Sequence, residues 1–310
     1  MSEAATDTEV LVVGAGPTGL ALALWLARLG VRARVIDKTA EAGTTSRALA
    51  VHARILEHYE QLGLADAILR RGLPMAAANL WVAGAKRGRA PFGIMGAGVS
   101  PFPFALIFPQ DEHERLLIER LRLLGVQVER CTELISLDER DGRVHARLRA
   151  ADGQEKACDA AFAAGYDSAH SKVRELIGVE FPGGTYAQLF YVADVEARGP
   201  VVDRELHIAL DTADFLSVFP LKAANRVRLI GTVRQSAADE HRELRWDDVS
   251  KGIVERMRIS VRQVNWFSTY HVHHRVARRL RDARAFLLGD AAHIHSPSRP
   301  RNEHRHRRCH

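Results

Sequence analysis

Gly14, Gly16 and Gly19, in the stretch GAGPTG, stand ahead of a carboxylate at Asp37. These residue types can hold a dinucleotide mostly through backbone. Gly14 permits a tight turn, Gly16 lets the chain approach a diphosphate, and Gly19 allows a helix to pack closely on a strand. Pro17 and Thr18 lead from the turn into that helix, whose first amides and positive dipole end face an anion. Asp37, followed by Lys38, lies 23 residues beyond Gly14, at the distance where an acid accepts hydrogen bonds from a ribose hydroxyl. A glycine-rich turn that binds nothing is the bland alternative, and the motif alone does not separate FAD from NAD.

The elements needed to position these residues are present. Glu9 to Val13 (EVLVV) reads as a buried first strand, being short, apolar and β-branched. Thr18 to Leu29 (TGLALALWLARL) is apolar nearly all round, as in a helix enclosed by other elements. Gly30 stops it, and Val31 to Ile36 (VRARVI) forms the second strand leading to Asp37. The result is a complete β-α-β unit. Further on, Ser46, Arg47 and Ala48 precede a segment with Ile55, Leu56, Tyr59 and Leu62 at helical spacing. LLGDAAH sets Gly289 and Asp290 at the end of an apolar strand, where a carboxylate can meet a ligand's hydroxyls or simply cap a helix. Arg47 alone could be a surface cation, and Gln110 alone an ordinary cap.

With GAGPTG, FPQDEHERLLIERL (108–121), AAGYDSAHSKVRELIG (163–178) and RAFLLGDAAHIHSP (284–297) in this order, the chain resembles the FAD-dependent aromatic hydroxylases. These are single-component flavoprotein monooxygenases related to p-hydroxybenzoate, phenol and polyketide hydroxylases. The resemblance runs from residue 9 to residue 297. It implies an α/β fold: a Rossmann-like FAD-binding domain with an inserted, mainly antiparallel β-sheet domain for the substrate. Residues 8–73, 107–180 and 276–298 would form the first, and residues 74–106 and 181–275 the second. It implies that Gln110 contacts the flavin's sugar-like chain, that Asp290 binds ribityl hydroxyls, and that Arg47 and Asp167 belong to the cofactor site. The implied chemistry is reduction of FAD by NADPH or NADH, capture of O2 as a flavin C4a-hydroperoxide, and hydroxylation of an electron-rich aromatic ring. No acid, base or nucleophile is required at a fixed motif, so no catalytic side chain is named.

One position departs from the pattern. The internal motif has glycine after aspartate in the family, whereas Asp167 is followed by Ser168. Where the backbone needs positive φ, a Cβ costs about 1–2 kcal/mol, and the side chain occupies space near the cofactor. Ser171, Lys172, Val173 and Arg174 fit the family pattern, with a solvated helix face as the plain reading of the two cations.

LFYVADVEA, ELHIAL, FLSVFPL and RVRLIGTV alternate as strands do, which supplies the second sheet. Trp81, Phe92, Phe102, Phe219 and Trp266 are candidates for pocket lining or for core. His271, His273 and His274 alternate along a strand without acid or thiol partners at ligand spacing, so no metal is expected.

Composition bounds the class. At 310 residues, 46% hydrophobic and 26% charged, the chain can bury one large core or two smaller ones. Cys131, Cys158 and Cys309 are scattered without CxxC or zinc-like spacing, so free thiols are expected rather than disulfides or a metal site. No apolar run reaches the roughly 20 residues that span a bilayer, and MSEAATDTE does not read as a secretory signal, so a cytoplasmic protein without membrane partners is expected. The net charge of +6 is concentrated at the end: residues 299–310 carry five arginines against Glu303, leaving +2 for the rest. That tail lacks interleaved aromatics and does not argue for nucleic acid.

The same tail replaces the glycine-rich loop and helix expected of the family after HIHSP. Codons that encode RPRNEHRHRRC can, read one nucleotide later, encode GQGMNTGIADA, which matches that loop. A displaced frame near Ser298, with loss of the C-terminal part, is therefore expected; a genomic sequence without a shifted, family-like frame downstream would refute it. Weak or absent flavin retention and little hydroxylase activity would follow, and a noncatalytic FAD-binding fragment is the alternative function.

Overall fold

The computed structural model describes residues 6–43, 49–211, 214–233, 244–249 and 251–295. Arg47 and the tail from residue 296 lie outside them.

Strand β1 (Thr6–Val13) enters the middle of an eight-stranded sheet. It pairs in parallel with β2 (Ala33–Ile36) on one side and with strand Glu155–Gly165 on the other. Strand Val128–Glu129 extends the sheet beyond β2, and strand Ala285–Leu287 extends it beyond Glu155–Gly165, both in parallel. An antiparallel hairpin, Glu133–Arg140 with Arg143–Arg149, is joined to the first half of Glu155–Gly165. Leu11 and Val12 point to opposite faces and both are fully buried, the pattern of a parallel strand covered on both sides. Val12 joins a cluster with Leu20, Leu24, Leu117 and Leu121. Leu11 joins one with Leu134, Val144, Val173 and Leu287.

Helix α1 (Pro17–Arg28) follows the glycine turn and packs with helix Gln110–Leu123 over the first of these faces. It begins one residue earlier than the apolar run suggested, because Pro17 with its fixed φ and missing N–H fits the first helical position. β2 is shorter than VRARVI: the Arg32 carbonyl accepts from the Glu9 and Val10 amides and so ends the preceding loop. Helix Ala53–Gln61 carries buried Leu56 and Tyr59, while Ile55 is exposed and Leu62 lies just past its end.

A second eight-stranded sheet has the spatial order 293–294, 260–276, 183–198, 226–233, 215–220, 206–210, 77–82, 85–91. Its pairings are antiparallel except for Leu206–Leu210 beside Ala77–Val82. The strand-like stretches of the sequence are all here. Tyr191, Val195, Leu216, Val218 and Leu229 form one face and bury the short helix Gly252–Arg256. A three-stranded sheet of residues 50–51, 105–107 and 73–75 connects the two large ones; Ile107, Leu73, Met75, Leu206 and Phe219 make the contact.

Of the five aromatic candidates, Phe102 is core, and Phe92 and Phe219 pack between the sheets. Trp81 donates from Nε1 to His207 at 3.1 Å. Trp266 lines a cavity beside Arg228. His273 meets the Thr185 hydroxyl at 2.8 Å, and His271 lies 3.3 Å from the Tyr186 carbonyl.

Candidate cofactor site

The glycine turn is built by three different constraints. Gly14 has φ +108°, and a Cβ there would lie 2.4 Å from the Tyr166 carbonyl oxygen. A Cβ on Gly19 would lie 2.2 Å from the Gly14 carbonyl oxygen. Gly16 is different: its φ of −74° is ordinary, and nothing stands within 4 Å of where its Cβ would be. Glycine at positions 14 and 19 is thus required by the fold, whereas glycine at position 16 leaves open space in front of the turn. The Leu20 amide bonds to the Gly16 carbonyl at 3.0 Å, so the Thr18 and Gly19 amides in the first turn remain for an anion.

Two cavities meet at this turn, sharing Gly16, Tyr166 and Ser168 as lining. The first, about 510 Å³, holds Asp37, Lys38, Arg130, Asp167 and the Gly14–Gly16 backbone. The second, about 570 Å³, holds Pro17, Thr18, Gly19, Gln110, Gly289 and Asp290. Residues scattered over the sequence therefore form the two arms of one site.

In the first arm the Asp37 carboxylate is fixed by protein. The Ala15 amide donates to Oδ2 at 2.7 Å, and the Thr39 amide and hydroxyl donate to Oδ1 at 2.8 and 2.6 Å. A carboxylate has about four acceptor positions, so capacity for a ribose hydroxyl remains. Arg130 stands 3.6 Å from Asp37 and donates to the Thr39 hydroxyl at 3.1 Å. Its Nη2 is buried without a hydrogen-bond partner among the described residues. Arg130 was not singled out by the sequence because it follows the short, unremarkable strand Val128–Glu129, which only the sheet order brings beside β2.

Asp167 accepts at the start of helix Lys172–Leu176, whose N-cap is Ser171: the Lys172 and Val173 amides donate to its Oδ2 at 2.6 and 3.1 Å. Its Oδ1 is buried and has no partner among the described residues. Ser168 has φ +69°, the conformation whose cost the sequence anticipated. Lys172 pairs with Glu175 on an exposed surface. Arg174 is no solvated cation: it bonds the carbonyls of Ala169 and Ala291 and stacks over Phe181.

In the second arm Gln110 begins its helix, and its Nε2 donates to Glu114 Oε1 at 2.8 Å. The other Glu114 oxygen accepts from the Gly43 amide at 2.9 Å. Glu114 is thus a buried link between the two arms, four residues after Gln110, a spacing the sequence displayed. Behind Gln110, Tyr59 and His113 are 2.7 Å apart and buried. Burial pushes the His113 imidazole down to about 4 and raises the Tyr59 phenol. Asp290, at the mouth of the arm, is raised above the ordinary carboxylate range by surrounding protein, partly offset by His293. Tyr166, at the junction, is pushed up to about 12 by burial.

This arrangement fits a flavin dinucleotide: open space at Gly16, free helix amides, and two buried polar atoms, Asp167 Oδ1 and Arg130 Nη2, lacking protein partners in the cavity wall. Comparisons with known proteins agree. The family described as FAD binding domain matches residues 7–300. 6-Methylpretetramide 4-monooxygenase of Streptomyces rimosus is 34% identical over 96% of this chain and 53% of its own length. Pentachlorophenol 4-monooxygenase of Sphingobium chlorophenolicum is 31% identical over 94% of this chain and 54% of its own. The chain thus spans about half the length of these curated relatives. The crystal structure of p-nitrophenol 4-monooxygenase from Pseudomonas putida DLL-E4 shares the fold, with TM-score 0.83 and 24% identity over 94% of this chain and 75% of that one. On the match to nearly its whole length and on a site shaped for the dinucleotide, this chain belongs to the FAD binding domain family.

Proposed function

We propose that this chain holds FAD across the two arms and serves a cytoplasmic, NAD(P)H-dependent monooxygenase that hydroxylates a phenolic or polyketide-like aromatic compound. The observation that carries the FAD placement is the junction of the two cavities at Gly16, between the Asp37 and Arg130 end and the Gln110 and Asp290 end. Asp37, Lys38 and Arg130 would take the adenosine ribose, and the Thr18 and Gly19 amides the diphosphate. Gln110 and Asp290 would take the ribityl hydroxyls. Asp167 would accept through its unpartnered oxygen, and Arg47 completes the proposed set. Bound FAD supplies the activation of O2 for transfer of one oxygen atom to the ring. The chain's own groups position the cofactor and shield it from water.

The aromatic substrate class is supported by relatives named for pentachlorophenol and 6-methylpretetramide. The large antiparallel sheet offers a matching surface: Phe190 stacks on Tyr270 at 5.9 Å and meets Phe215 edge-on at 6.4 Å.

The test is titration of the purified chain with FAD, followed by absorbance, melting temperature and NAD(P)H oxidation with a panel of phenols and polycyclic phenols. Weak but saturable FAD binding that raises the melting temperature is expected, and oxidation coupled to hydroxylated product would place the monooxygenase activity in this chain itself. Binding without turnover would reduce the reading to a noncatalytic FAD-binding protein, and no binding would remove it.

A further inference from the structure

Tyr166 occupies a place that neither the glycine motif nor the acid positions account for. Its backbone carries the contact that excludes a side chain at Gly14, and its Cβ lies 3.3 Å from where a Gly19 Cβ would be. Its Cδ1 lies 3.6 Å from where a Gly289 Cβ would be, a spot equally close to the Thr18 hydroxyl. The ring is therefore wedged between the first turn of α1 and the Gly289–Ala291 turn, and it lines both cavities. Its position is held from both ends, by the Tyr166 amide on the Val13 carbonyl at 2.7 Å and the Leu288 amide on the Gly165 carbonyl at 3.0 Å.

Its hydroxyl has no hydrogen-bond partner among the described residues and is not among their sealed-off polar atoms. A phenol in such a half-buried wall stays protonated and remains a donor across the physiological range. The same two cavities are lined by Thr18, Ser168 and the first turn of α1, and also by Asp167 and Asp290. The hydroxyls and the first-turn amides are donors, as an anion requires.

We infer that Tyr166 is a cofactor-binding residue whose hydroxyl donates to the diphosphate where it crosses from one cavity to the other. The inference rests on the FAD reading above and deepens it. The ring forms the ridge over which the dinucleotide bends, and the hydroxyl adds a neutral donor to the backbone amides. Hydrogen bonds to a charged acceptor are among the stronger ones, and loss of one corresponds to about a tenfold change in dissociation constant.

The experiment compares wild type, Tyr166→Phe and Tyr166→Leu for binding of FAD, ADP and riboflavin, by flavin fluorescence and calorimetry, together with melting temperatures without ligand. Phe keeps the wedge and removes the donor. Expected is a rise of about tenfold in the dissociation constants for FAD and ADP, with riboflavin and the unliganded melting temperature unchanged. Equal FAD affinity of wild type and Tyr166→Phe overturns the inference while leaving the FAD reading intact. A loss confined to riboflavin and FAD, with ADP unaffected, also overturns it, by moving the contact to the flavin half. Wild type that binds neither FAD nor ADP overturns both. Should Tyr166→Leu unfold, the Phe comparison still decides.

Discussion

Arg174 Nη1 donates to the Ala291 carbonyl at 2.9 Å while Nη2 donates to the Ala169 carbonyl at 2.6 Å. One guanidinium thus ties the loop after strand Glu155–Gly165 to the turn that carries Asp290. Phe181 covers its face, with the guanidinium carbon 3.9 Å from the ring centroid. The two segments lie more than a hundred residues apart in sequence.

Arg174→Met keeps much of the packing and removes both bonds. A loss of about 2 kcal/mol of stability is expected, together with weaker FAD binding as Asp290 is released. Urea unfolding and FAD titration measure the two effects, and unchanged values for both would show the link to be incidental.

The glycines separate by role. Gly16→Ala meets no protein atom and should cost about 1 kcal/mol or less, but it should weaken FAD binding about tenfold or more by filling the approach to the turn. Gly14→Ala sets a Cβ against the Tyr166 carbonyl at φ +108° and should cost about 3 kcal/mol or prevent folding. If Gly16→Ala bound FAD normally, the ligand would have to run elsewhere.

Ser168 holds φ +69°. Ser168→Gly should stabilise the protein by about 1 kcal/mol, visible as a higher melting temperature in the absence of ligand. A fall in melting temperature would mean that the hydroxyl contributes more than the strain costs.

The buried His113 titrates near 4 when folded and near 6.5 when unfolded. Between these values the unfolded chain binds a proton that the folded chain does not, so stability falls as pH decreases through that window. The contribution is roughly 3 kcal/mol, complete above about pH 6.5 and lost toward pH 4. Denaturation of wild type and His113→Gln at pH 7.5 and 4.5 measures it. Gln can still bond Tyr59, and the variant should show a smaller drop; an equal drop would assign the acid sensitivity to other groups.

Burial raises the Asp290 carboxyl above its ordinary value, so on acidification it takes up a proton earlier than a free aspartate would. FAD hydroxyls donate to the ionised form, and affinity should therefore weaken on acidification at a higher pH than an ordinary aspartate would set. Asp290→Asn should lower affinity at neutral pH by about tenfold and flatten this part of the profile. A parallel profile in the variant would remove Asp290 from the ribityl contact.

By itself the sequence determined the β-α-β unit, because glycine spacing, an apolar helix and a short β-branched strand are local signals. It also showed the alternating strands of the second sheet, and the residue types at Asp37, Gln110 and Asp290. It assigned each of the three glycines its own duty but did not show the atoms behind it: those that crowd Gly14 belong to Tyr166, those that crowd Gly19 belong to Gly14, and nothing among the described residues stands within 4 Å of where a Gly16 Cβ would be. Nor could it show Arg130 beside Asp37, Glu114 joining Gln110 to Gly43, or Arg174 joining two distant turns. Those relations depend on which strands lie side by side, and strand order is set by packing of whole faces rather than by any local run of residues.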